Sequence, residues 1–129
     1  MKESQLMRIL FTLVFLITLP SFVWAEADCK KPDARHEDIG CAVEVFDNAD
    51  KALNEAYKAL VVKMDQDGKA KLKEAQRAWI QFRDADTALA YQNSGEGGSL
   101  GGLIATNHKA DLTLERIKEL KKFLSTNGN

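Results

Sequence analysis

Proline is nearly missing from this chain: Pro20 and Pro32 are its only two, so nothing after position 32 forces a helix to break. Strand signals are equally scarce. The one dense run of β-branched and aromatic residues lies before residue 25, which excludes a sheet as the organising element of the remainder. Cysteine is confined to Cys29 and Cys41 and histidine to His36 and His108. No cluster of Cys or carboxylates stands beside the histidines at ligand spacing, so no metal and no cofactor are expected. Neither sign of charge dominates: 18 Lys and Arg face 19 Asp and Glu, for a formal net charge of −1. That balance gives no electrostatic case for nucleic acid or for an anionic membrane surface. GxSxG, P-loop and HExxH patterns are missing too, and no nucleophile has an evident base beside it, so an enzyme is not expected.

What is present begins with an export signal. Lys2 and Arg8 precede an uncharged apolar run from Ile9 to Leu19, followed by Pro20 and by Val23-Trp24-Ala25. The run is shorter than the roughly 20 residues of a membrane-spanning helix, and the small residues Val23 and Ala25 suit cleavage after Ala25. Residues 1–25 are therefore read as a signal peptide and residues 26–129 as one helical domain, with no stable membrane insertion after cleavage. The 104 residues that remain suffice for one hydrophobic core. Removing two bases and one acid takes the net charge to −2. Export, to the periplasm or beyond the cell, delivers Cys29 and Cys41 to a compartment where disulfides persist, and the two are expected to pair.

Hydrophobic spacing then predicts an all-α, three-helix antiparallel bundle. The first helix carries Ile39, Ala42, Phe46, Ala49, Leu53, Ala56, Leu60 and Met64 on one stripe, with Asp33 as a candidate cap and Asp65-Gln66-Asp67-Gly68 as the stop. The second, from about Lys69 to Asn93, carries Leu72, Ala75, Trp79, Phe82, Asp86 and Leu89. A glycine-rich stretch, Ser94 to Gly102, reads as a wide turn. The third carries Leu103, Ala110, Leu114, Ile117, Leu120 and Leu124.

Some residues are not explained by the stripes. On a helical wheel Asp50 falls beside Phe46, Leu53 and Tyr57, while Arg83 and Arg116 flank the stripes of their own helices. An Asp50–Arg83 or Asp50–Arg116 pair at the seam is the economical arrangement. Tyr57 is expected to pack its ring inward and send its hydroxyl to a polar partner.

The strings Ala49-Asp50…Leu53-Asn54…Tyr57…Leu60 and Ala75-Gln76-Arg77-Ala78-Trp79…Phe82-Arg83-Asp84-Ala85, then Gly97-Gly98-Ser99, then Leu112-Thr113 with Arg116 and Leu120, resemble the LprI-type lysozyme-inhibitor N-terminal domain family. The resemblance spans nearly all of the chain after the signal. Its polar members, Asp50, Asn54, Tyr57, Gln76, Arg83, Asp84, Thr113 and Arg116, form a candidate structural seam. Members of the family commonly carry a cysteine after the FRDA string and another before the Leu-Thr string, where this chain has Thr87 and His108. With that bridge missing, the glycine turn and third helix are expected to be held to the second by packing alone.

The resemblance implies a periplasmic or secreted protein that binds lysozyme or another peptidoglycan hydrolase and blocks it by surface occlusion, without chemistry of its own. Glu96, Gly97, Gly98 and Ser99 are the candidate partner-binding loop, although a plain chain reversal explains them as well. The alternative is an envelope binding, stress or immunity module for a different protein or a small ligand, because a shared fold does not fix a target.

Overall fold

The computed structural model describes Cys29 and residues 37–126. The expected signal peptide, Asp33 and His36 lie outside the described residues. Three helices make up the described chain: α1 (Ile39–Lys63), α2 (Gln66–Asn93) and α3 (Gly98–Thr126). No strand occurs among the described residues. The chain runs up, down and up, so consecutive helices are antiparallel. The most extensive contact joins α1 to α3, which run parallel, and α2 leans on α3 less extensively.

Asp38, one residue before α1, sets its start. Its carboxylate accepts the Cys41 amide at 3.1 Å and its carbonyl accepts that of Ala42, which satisfies amides that have no partner inside the helix. The chain reverses through Met64 and Asp65 alone. Met64 is extended, and Asp65 caps α2 by accepting the Gly68 amide at 2.8 Å. The string expected to stop the first helix thus mostly begins the second.

The glycine-rich stretch is shorter as a turn than its composition implies. Only Gly95, Glu96 and Gly97 lie between Ser94 and the start of α3, so Gly98 and Ser99 already belong to the helix. Gly95 and Gly98 take positive φ, 66° and 65°, which glycine adopts without steric cost. Ser94 donates from Oγ to the Tyr91 carbonyl at 2.7 Å and accepts the Glu96 amide at 3.2 Å. Gly101 is buried: a Cβ there would run into the Glu96 carbonyl and lie 2.9 Å from the Tyr91 ring. The turn is folded down onto the helices.

The core is uneven along the bundle. Around the α1–α2 connection it contains Leu53, Leu60, Leu72, Ile117 and Leu120, with Trp79 and Tyr57 packed against them. Toward the turn the buried positions become small: Ala42, Ala49, Gly101, Ala105 and Ala110, with Cys41 and Val45. Small residues let α1 and α3 approach closely but remove little apolar surface from water.

Two stripes differ from their expected faces. In α1, Val45 is buried while Ile39, in the first turn, is exposed. In α2 the buried residues are Leu72, Gln76 and Arg83, and Ala75, Phe82 and Leu89 are exposed. Its inner face is turned toward Gln76 and Arg83, while Leu72 keeps its buried place and Trp79 and Asp86 stay half-buried. Gln76 and Arg83 can turn inward because each finds partners there.

Candidate functional site

Arg83 sits at the centre of the polar seam. Its side chain is 9% exposed and reaches α1 by a 3.2 Å bond from Nη1 to Asp50, while Nε donates to Asp84 at 3.0 Å. The guanidinium lies over two rings, 5.5 Å from the Phe46 centroid and 5.3 Å from that of Trp79. An arginine between aromatic faces exchanges hydration for π electrons and keeps its donors for carboxylates. Lys109 of α3 repeats the pattern one layer away, 4.8 Å from the Phe46 centroid and 3.3 Å from Asp84. Arg116 lies 5.8 Å from the Trp79 centroid, donates to Gln76 Oε1 at 3.2 Å and pairs with Glu119 at 2.7 Å. Two rings and three cations therefore join all three helices.

The other sequence-marked residues sit around this group. Asn54 donates from Nδ2 to the Asp50 carbonyl and carboxylate at 2.9 and 3.2 Å, fixing the acid that meets Arg83. Thr113 is fully buried and donates to the Lys109 carbonyl at 2.8 Å. Tyr57 packs its ring on the core, but no hydrogen bond to its hydroxyl occurs among the described residues, contrary to expectation. Asp50 takes Arg83 rather than Arg116 as its partner. No buried side-chain polar atom among the described residues is left without a partner.

Asp84 feels opposing influences. Its partial burial penalises the carboxylate, yet hydrogen bonds and charge from Arg83 and Lys109 outweigh that and hold its pKa below the usual aspartate value.

The end of the bundle near the turn departs from expectation. Asp86 Oδ2 and His108 Nε2 lie 2.7 Å apart, a polar link between α2 and α3, with Asp84–Lys109 beside it. The turn is therefore held by more than packing. The hint in the sequence was Asp86, an acid on the inner side of its helix, paired with one of only two histidines. Cys41 of α1 forms a disulfide with Cys29, their Cα atoms 5.2 Å apart, as expected. Glu96, Gly97, Gly98 and Ser99 are all exposed at the turn.

Charge is sharply divided along the rod. Phe46 beside Lys109 sets the register of the parallel helices, placing the start of α1 next to the turn. Residues 37–50 and 84–107 hold eight acids and no lysine or arginine, whereas residues 51–83 and 108–126 hold thirteen bases and seven acids. Glu44, Asp47 and Glu96 are exposed there.

A disulfide-tied three-helix bundle with a filled polar seam and an acidic end defines a class of small helical protein that presents a surface. Within that class the chain belongs to the LprI lysozyme inhibitor family, whose model matches residues 27–120. It is also 32% identical to a protein of Rhizobium meliloti (strain 1021) described as uncharacterized protein R02472, over 81% of this chain and 84% of that one. No solved structure matches it.

Proposed function

We propose that this chain is a periplasmic or secreted, non-enzymatic protein that blocks a lysozyme-type peptidoglycan hydrolase by covering its cleft, with residues 1–25 as its export signal. The observation that carries this reading is the family match over residues 27–120. The Cys29–Cys41 disulfide supports an oxidising compartment, and no described helix is long and apolar enough to cross a membrane.

Occlusion needs only a rigid surface of the right charge. The polar seam supports that as a structural device: its cations are engaged by rings and carboxylates, and it fixes which helix faces meet. Glu96 on the compact turn is the exposed group best placed for contact with a basic partner. The experiment is a turbidity assay in which purified mature protein is mixed with several lysozyme types and bacterial cell walls. Slowed clearing with at least one type is expected, weakened by Glu96→Lys. Unchanged clearing with every type, at large molar excess of the protein, would transfer the reading to an envelope module with another partner.

A further inference from the structure

Six of the ten exposed large hydrophobics among the described residues, Ile39, Val43, Leu89, Tyr91, Leu100 and Ile104, lie in the two segments that form the acidic turn end. Helix spacing places three of them together. Asp86 and His108 meet across α2 and α3. Leu89 lies one turn beyond Asp86 toward the chain reversal and Ile104 one turn beyond His108 in the same direction, so both fall on the side of the pair marked by that link. Leu100 follows Ile104 by another turn, and Phe82 precedes Asp86 by one. The inner face at this end is filled by alanine and glycine, so its large apolar side chains point outward.

We propose that this face, Phe82, Leu89, Leu100 and Ile104 with Glu96 at its edge, is the docking surface for a cationic protein, and that the hydrolase is held there. The proposal rests on the inhibitor reading above and specifies where the contact is made. Apolar side chains supply the part of an interface that excludes water, and acids at the rim steer and orient a partner of opposite charge. Asp50, Asp84 and Asp86 at this end are engaged by Arg83, Lys109 and His108, and the exposed Glu37, Glu44, Asp47 and Glu96 supply the negative charge that selects a basic partner. The opposite end offers Val62 as a still more exposed hydrophobe but is rich in bases, and would repel it.

The test uses the mature protein and a basic lysozyme that it inhibits, with binding followed by calorimetry and folding by circular dichroism. Leu89→Ser combined with Ile104→Ser should weaken binding by about tenfold or more at an unchanged helical spectrum, and Val62→Ser should leave binding intact. Raising the salt from about 50 to about 500 mM should weaken wild-type binding as the charges are screened. Wild-type affinity in the double variant overturns the docking surface while the inhibitor reading stands, whereas a wild type that binds no lysozyme type overturns both. A wild type that sediments as a dimer, and becomes monomeric in the double variant, would make the face a contact between copies and also overturn the proposal.

Discussion

Arg83 illustrates how a charged side chain becomes an interior residue. Its head is divided between Asp50 on another helix and Asp84 next to it in sequence, and its planes are covered by Phe46 and Trp79. Removing Asp50 leaves Asp84 in place, so Asp50→Ala should cost about 1–2 kcal/mol, the scale of one hydrogen bond to a charge. Arg83→Ala removes the packing as well and should cost about 3 kcal/mol, while Arg83→Met, which refills the space with apolar atoms, should recover much of that. Urea melts of the three variants check the order, and a cheap Arg83→Ala would show that the rings close over the gap. Asp84 adds a pH dependence. A carboxyl whose folded pKa lies below its unfolded one, near 3.8, contributes stability that is complete above the unfolded value. That stability is lost as pH falls through the folded value. Asp84→Asn should therefore lower the melting temperature at about pH 6, and the difference from the wild type should shrink as the pH falls through the folded value of the wild-type carboxyl.

Among the elements, α1 was the most legible, because its inner face is built of aliphatic residues and small alanines whose spacing is itself the signal. In α2 hydrophobicity pointed to Phe82 and Leu89, yet the residues turned inward are Gln76 and Arg83. A periodicity rule counts arginine as solvent-facing, and only its partners on other helices make burial tolerable; the wheel position of Asp50 gave away one of them. Lys109, by contrast, carried no sign in the sequence that it would lie against Phe46. The start of α3 was hidden by glycines that read as loop. There the fold uses Gly101 for closeness rather than flexibility, since the Tyr91 ring and the Glu96 carbonyl occupy the space of a side chain. Gly101→Ala should thus destabilise the protein by about 1–3 kcal/mol, the cost of overpacking, even though alanine favours a helix more than glycine does. Gly102, with open space around its Cβ, is the control: Gly102→Ala should be neutral or stabilising, and equal melts for the two variants would remove the argument.

At the scale of the whole molecule, large buried side chains gather near the α1–α2 connection and the opposite end is closed by small ones, a disulfide and the Asp86–His108 link. Apolar burial is what holds most helical bundles together, so the two ends should open with different free energies. A thin-cored end that depends on a cross-link should respond most when the link is cut. Reducing Cys29–Cys41, which closes a loop of 12 residues in sequence separation, releases on the order of 3 kcal/mol of constraint on the unfolded chain. If that chain effect were all, protection would fall equally at every amide that exchanges only by global unfolding. Local opening adds a second component. After reduction, amides of residues 39–50 and 98–107 should lose more protection than those around Leu60, Ile117 and Leu120, and His108→Ala should deepen the loss at 98–107 alone. Hydrogen exchange followed by mass spectrometry separates the cases: a uniform loss along α1 and α3 would mean that the bundle opens as one unit, and that its uneven core has no dynamic consequence.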